Sequence, residues 1–190
     1  MKTTEPIRDK RQIRALSEYY LGRGQVRNHL LIVMGLHTAL RISDILKLCW
    51  CDVYDFEHGC VRKSVHIAEK KTGKVKTIAL HANIIVALTL YADTAKPDKP
   101  LFENPRTKKA IGRTQAYRII RVAAESVKIQ TRVSCHSLRK TFGYHAWKDG
   151  KHPELIMKIY NHSSLAITSR YLGITQDDID AVYLGIRLVA

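Results

Sequence analysis

The residues best suited to chemistry lie between Ser134 and Tyr171. They read S-C-H-S-L-R-K-T-F at one end and Y-N-H-S-S-L-A-I-T-S-R-Y at the other. His136 and Arg139 are three residues apart, so on a helix they share a face. His162 precedes Tyr171 by nine residues, and a break at Asn161-His162-Ser163 would let a short second helix carry the tyrosine back toward the first. Two imidazoles, a guanidinium and a phenol meeting at one point suit a phosphate diester. Arginine holds two phosphate oxygens in a fork, histidine bonds or moves a proton, and tyrosine can attack and stay attached. A His-Arg pair at helical spacing is by itself usually a solvated face. H-x-x-R followed by H-x8-Y is far more specific.

To position these groups the chain needs helices, and apolar spacing predicts them at 113–126, 136–148, 153–160, 164–172 and 176–188. Upstream, 8–22 reads as a helix with Ile13, Leu16 and Tyr19 or Tyr20 on one face and Gly22-Arg23-Gly24 as its stop. Residues 26–40 are apolar almost all round from Leu30 to Leu36, which predicts a buried central helix. Ser43 is expected to cap a short helix over 44–48. The period then changes. His58-Gly59 predicts a turn, and 61–68 and 75–80 alternate about a lysine-rich turn at Lys71-Thr72-Gly73-Lys74, predicting a β-hairpin over 61–80. Residues 82–95 return to helix, and Lys96-Pro97-Asp98-Lys99-Pro100 is a loop too short for a domain boundary. The expected fold class is mainly α with a small antiparallel β-sheet (α+β), one domain over 1–190.

Composition narrows the partner. The 190 residues are 45% hydrophobic, enough for a real core. They carry 32 Lys and Arg against 17 acids, a net charge of +15. Such an excess points to a polyanion, nucleic acid first and a ribosomal or membrane surface second. From Arg106 to Lys140 there are ten Lys or Arg and one acid, Glu125; from Val61 to Lys76 there are six against Glu69. The tail reverses, with Asp177, Asp178 and Asp180 against Arg187. Two basic segments flanking the suspected site predict a groove for a phosphate backbone. Cysteines 49, 51, 60 and 135 fit no zinc spacing. They are expected to be reduced, mostly core residues of a cytoplasmic protein. Met1 to Glu5 opens no signal-peptide pattern, and the longest apolar stretch, Leu30 to Leu36, is too short to span a membrane.

With these pieces in place, nearly the whole sequence resembles the catalytic domain of a tyrosine recombinase, the phage-integrase family. Thr38-Ala39-Leu40-Arg41-Ile42-Ser43-Asp44 stands where the family carries its first arginine, and Lys71 in Lys70-Lys71-Thr72-Gly73 where it carries a lysine on a hairpin turn. His136, Arg139, His162 and Tyr171 follow in the family's order. The resemblance implies a DNA breaking–rejoining catalytic-domain fold and a site-specific recombinase or integrase encoded by a bacterium, phage or mobile element. By that resemblance Arg41 and Arg139 clamp the non-bridging oxygens, and Tyr171 attacks to give a 3′-phosphotyrosyl bond and a free 5′-hydroxyl. His136 accepts the phenolic proton, Lys71 is the acid for the departing 5′-oxygen, and His162 bonds the phosphate. No cofactor is implied, neither metal nor nucleotide.

Alternatives stay open at several positions. Arg41 could merely complement a helix C-terminus. Asp44 could be a dipole partner at a helix N-terminus or, by the resemblance, a residue orienting the arginines. Lys70 and Lys74 rival Lys71. Tyr144, Tyr160 and Tyr183 are expected to pack or to line a rim. The resemblance also implies a homo-oligomer, a tetramer on DNA with exchange of C-terminal helices, and Ile179, Val182, Tyr183 and Ile186 form a stripe suited to it. Two departures stand out. Tyr160-Asn161-His162 replaces the family's Leu-Gly-His, and asparagine tolerates the left-handed backbone that glycine supplies. With the first arginine at 41, no separate N-terminal DNA-binding domain is expected. That fits a compact recombinase resembling the fimbrial-switch invertases, or a fragment. A type IB topoisomerase and a non-catalytic DNA-binding regulator are the competing readings. The histidine of H-x-x-R weighs against the first, the intact residue set against the second.

Overall fold

A helix that is apolar on every side needs neighbours on every side, and Val26–His37 has them: each residue from His29 to Leu36 is buried. The computed structural model describes residues 4–68 and 75–186. In chain order the elements are α1 (Lys10–Glu18), α2 (Val26–His37), α3 (Ile42–Ile45), α4 (Trp50–Val53), β1 (Tyr54–Asp55), β2 (Cys60–Val61), β3 (Ser64–Ala68) and β4 (Val75–Ala79). Then come α5 (Ala82–Thr89), α6 (Arg113–Ser126), α7 (Cys135–Lys148), α8 (Pro153–Tyr160), α9 (Leu165–Leu172) and α10 (Gln176–Gly185). Among the described residues no helix is long and apolar enough to cross a membrane.

The expected class, mainly helical with small antiparallel sheets, is what the chain adopts, with local differences that have physical causes. The first helix stops at Glu18, and a 3-10 turn over Leu21–Arg23 ends on Gly24 at φ 66°, a left-handed backbone that suits glycine. The central helix ends at His37 rather than 40. Thr38 closes it by donating both its N–H and its hydroxyl to the Met34 carbonyl, and Ala39 turns left-handed at φ 55°. An alanine there costs on the order of 1–2 kcal/mol, and the turn delivers Arg41 to the start of the next element. Ser43 is not a cap. The Arg41 carbonyl already accepts from the Asp44 and Ile45 amides at 2.8 and 3.1 Å, so α3 begins earlier, with Arg41 extended as its N-cap. The hairpin over 61–80 divides into two ribbons: Val61 pairs back to Tyr54, and β3 begins only at Ser64. In β3, Val65 and Ile67 face the core in alternation.

Two cores flank α7. The larger gathers α2, α5, α6 and the inner face of β3 and reaches Leu138; the smaller joins Ala39, Ile156, Tyr160 and Leu172, with Phe142, Ala146 and Trp147 packed against it. The N-terminal strap ties both to the site. The Ile7 N–H donates to Thr141 Oγ1 at 2.9 Å, His145 Nε2 meets the Ile7 carbonyl at 3.0 Å, and Arg8 donates to the Gly173 carbonyl at 2.8 Å. Gly143 is where α7 lets Tyr160 in. A Cβ at that position would overlap the Tyr160 hydroxyl and lie 2.8 Å from Leu172 Cδ2. Gly143→Ala, ordinarily stabilising inside a helix, is therefore expected to cost about 1–3 kcal/mol by overpacking. The denaturant midpoint checks it, and Tyr160→Phe added to Gly143→Ala should recover part of the loss by removing the overlapping oxygen.

Candidate active site

The first turn of α7 sets the site's floor. Ser134 caps it by accepting from the His136 and Ser137 amides at 3.2 and 3.4 Å, while Ser137 Oγ accepts from the Ser134 N–H at 3.1 Å. His136 and Arg139 then emerge on one face beside a helix N-terminus, the end that favours anions. Arg139 is only 3% exposed. Its Nη2 donates to the Tyr160 carbonyl at 3.1 Å, and its guanidinium lies 4.9 Å from the Tyr160 ring centroid. Its Nη1 is buried with no hydrogen-bond partner among the described residues.

The break between α8 and α9 brings in the other two groups. Asn161 takes the left-handed conformation (φ 56°, ψ 45°) and ends α8, and the His162 N–H returns to the Met157 carbonyl at 3.1 Å. Ser164 caps α9 through its hydroxyl. That geometry swings Tyr171 back onto α7. Its ring centroid lies 4.9 Å from His136, 5.0 Å from His162 and 4.8 Å from Tyr160. The Tyr171 hydroxyl faces His136 Nδ1 at a long 3.4 Å. His162 Nδ1 is held by Thr168 Oγ1 at 3.1 Å, which leaves Nε2 for a ligand.

Crowding and charge set the protonation states. Burial pushes the Tyr171 phenol up to about 12, against a downward pull from Arg139 and Arg41. Burial also lowers His136 to about 4, helped by Arg139, Lys140, Arg41 and His162, although part of the residue stays open to solvent. His162 is lowered by burial and by Arg139, Arg41 and Lys76. Both imidazoles are thus neutral at pH 7. Cys135, beside His136, is held as a thiol, its pKa raised to about 11 by burial.

Arg139, His136, His162 and Tyr171 are in mutual contact or nearly so. Arg41 lies within electrostatic reach of His136, His162 and Tyr171, and lines a hollow with Lys47 and Arg113. Asp44 is buried one turn from Arg41. Lys71, with its rivals Lys70 and Lys74, falls outside the described residues. Of the ten basic residues from 106 to 140, all but Arg139 and Lys140 are exposed. None of the four cysteines is in the core, against expectation: Cys49 and Cys135 are half-buried, and Cys51 and Cys60 are exposed on the small ribbon and its approach.

Spacing alone missed two residues. Tyr160, read as packing, is fully buried and holds Arg139 from below: its hydroxyl donates to the Arg139 carbonyl at 2.6 Å. Lys76 sits on β4 opposite Ile67, so it turns inward, and its Nζ donates to the Ile159 carbonyl at 2.7 Å. Strand alternation carried that signal, since 76 and 78 share a face.

A buried guanidinium, two neutral imidazoles and a phenol on a basic surface make up a set suited to a phosphodiester. The sequence model of the Phage integrase family matches residues 8–177. A Bacillus subtilis relative named Probable integrase/recombinase YoeC is 37% identical over 183 residues, which take in 96% of this chain and 97% of the relative. The chain belongs to the phage integrase family, the tyrosine recombinases. Tyrosine recombinase XerC of Pelobacter propionicus is 27% identical over 149 residues, covering 77% of this chain but 47% of its own length. The chain thus spans about half the length of several such relatives. Among solved structures, XerA recombinase matches with a TM-score of 0.78 at 21% identity, over 99% of this chain and 68% of that one. XerH recombinase bound to its palindromic difH substrate, in a post-cleavage complex, matches with a TM-score of 0.74 at 19% identity, over 95% and 53%. At those identities the structural likeness speaks to the fold.

Proposed function

We propose that this chain cleaves and rejoins double-stranded DNA at a specific site through a 3′-phosphotyrosyl link on Tyr171. The observation that carries this conclusion is the convergence of Arg139, His136, His162 and Tyr171 at the capped end of α7. In this scheme Arg139, with Arg41, binds the non-bridging oxygens, and the unpartnered Nη1 is a ready donor for one of them. Asp44, buried beside Arg41, orients it. His162 donates to the phosphate, and Lys71 protonates the leaving 5′-oxygen. His136 takes the phenolic proton. With the phenol near 12 and the imidazole near 4, transfer ahead of attack is steeply uphill. The proton therefore moves as the oxygen–phosphorus bond forms. The bound phosphate helps, because its negative charge offsets the guanidiniums that depress His136. This chemistry calls for no metal or nucleotide, since the tyrosyl link conserves the bond energy and two guanidiniums stabilise the developing charge.

The test uses nicked duplexes carrying a site selected from a randomised pool by binding. The 190-residue chain should give an adduct that resists SDS and maps to Tyr171. Binding without any adduct would favour a non-catalytic regulator.

We further propose that recombination proceeds in a tetramer on DNA, with α10 docking on a neighbouring copy. Ile179, Val182, Tyr183, Leu184 and Ile186 are all exposed rather than packed on their own core. A groove of about 750 Å³ between α1, α7 and α8, lined by Ile13, Phe142, Leu155 and Ile159 among others, offers an apolar seat. The near end of α10 is anchored in its own chain, where Asp178 accepts from Lys148 and Thr175. Val182→Asp is expected to leave the melting midpoint and single-site binding within error, yet reduce tetrameric synapses in gel-shift assays about tenfold or more, since a charge in an apolar seat is strongly disfavoured. Undiminished synapsis would remove α10 from the interface.

A further inference from the structure

The spacing that places His136 and Arg139 on one face of α7 adds Lys140, four residues beyond His136. Lys140 is 7% exposed. Its ammonium has no ion pair and no hydrogen bond among the described residues. A lysine that buries its stem ordinarily carries its charge out to water. This one carries it to the nucleophile, with Nζ 5.5 Å from the Tyr171 ring centroid, and its charge is also felt at His136. Lys140 Nζ is not among the buried unpartnered polar atoms, so the stem is buried while the ammonium opens onto the site beside the tyrosine.

We propose that Lys140 is a positioning residue for the cleavage step: its ammonium, held against the Tyr171 ring and beside His136, stabilises the negative charge developing on the phenol. This role rests on the recombinase function proposed above. In that step the Tyr171 O–H bond breaks and its proton passes to His136. The freed electron pair forms the oxygen–phosphorus bond, and the 5′-oxygen leaves with a proton from the general acid. Lys140 neither gives nor takes a proton. Its attraction for the ring grows as the ring gains charge, so it favours the transition state over the resting phenol. The other groups facing this point are Arg41 at the start of α3, Lys76 on β4, Arg139 on α7, Tyr160 on α8 and His162 ahead of α9. A bound phosphate takes up the charge of the two arginines. The ammonium of Lys140 stays available to the phenol.

Lys140→Met removes the charge and keeps the stem. The melting midpoint is expected to stay within error, because the buried stem and its packing are kept. Adduct formation on nicked duplex at pH 7 is expected to fall roughly 10- to 100-fold, the scale of one charge at this range in a partly buried site. The pH–rate profile should move to higher pH on both limbs. His136 loses a cation, so its pKa rises from about 4 and it protonates earlier as pH falls; the phenol loses a cation, so its ionisation needs higher pH. A lysine serving only the fold would lower the midpoint and leave the profile in place. Either that result, or adduct formation at an unchanged rate and profile, overturns the proposal. Titration of His136 by NMR in the free protein separates the two hypotheses. If the unmutated chain forms no adduct, the recombinase function falls, and an unchanged His136 pKa in Lys140→Met then overturns the role of Lys140 by itself.

Discussion

Tyr171→Phe is expected to give no SDS-resistant adduct on nicked duplex, while duplex affinity changes by less than about twofold because phosphate contacts elsewhere dominate such interfaces. The substitution is clean. Phenylalanine keeps the ring contacts with His136, Tyr160 and His162, and the hydroxyl it removes makes a long 3.4 Å approach to His136 and lies beside the Arg139 guanidinium. Stability should therefore stay within about 0.5 kcal/mol, the usual range for a change that disturbs no packing. Adduct yield, melting midpoint and half-site affinity measured together check all three parts. An adduct that persists and maps to another tyrosine would overturn the assignment. Tyr160 is a poor substitute: it is fully buried, its hydroxyl is committed to the Arg139 carbonyl, and burial pushes its phenol up well beyond that of Tyr171. Tyr183 is exposed on α10, so its appearance in the adduct would move the chemistry to a different helix.

The helices of the site were legible because their signals are local. Apolar spacing marks the helices, Asn161 can turn left-handed, and His136 and Arg139 are three apart; each follows from a few neighbouring residues, whereas the caps Ser134 and Ser164 went unread. The burial of α2 followed from its composition in the same way. What escaped was set by distant partners. Ala39 adopts a backbone that alanine disfavours, and only its packing with Ile156, Tyr160 and Leu172 explains why the chain tolerates it. The retreat of Val61 to pair with Tyr54 depends on a strand that is two residues long, too short for any period to show. The support of Arg139 by Tyr160 depends on Gly143, a small residue whose role appears only when the two helices meet. Lys140 shared the face of His136 from the start. Its significance needed the position of Tyr171, which spacing does not supply.

Lys71→Ala is expected to slow cleavage of ordinary DNA by ~10²–10⁴-fold, the usual range for a general acid, and to be rescued by sulfur. The leaving group decides the logic. A 5′-alkoxide needs a proton as it departs, whereas the thiolate released from a 5′-bridging phosphorothiolate does not. Loss of the acid should therefore vanish on the sulfur substrate, and loss of any other group should persist. Lys71 is favoured by its place in the Lys-Thr-Gly segment between β3 and β4, where the family carries its lysine. Lys76 is the rival with geometry behind it: it faces inward opposite Ile67, and its charge is felt at His162. Its Nζ, however, donates to the Ile159 carbonyl and so fastens β4 to the end of α8 just ahead of His162. Lys76→Ala is therefore expected to slow both substrates by the same factor, through misplacement of His162. Lys70→Ala and Lys74→Ala should show no sulfur rescue. Rates of adduct formation on the two substrates, compared across the four alanine variants, separate these roles. Should sulfur rescue Lys76→Ala and not Lys71→Ala, the acid lies on β4, and the ammonium held by Ile159 must leave that carbonyl when the phosphate arrives.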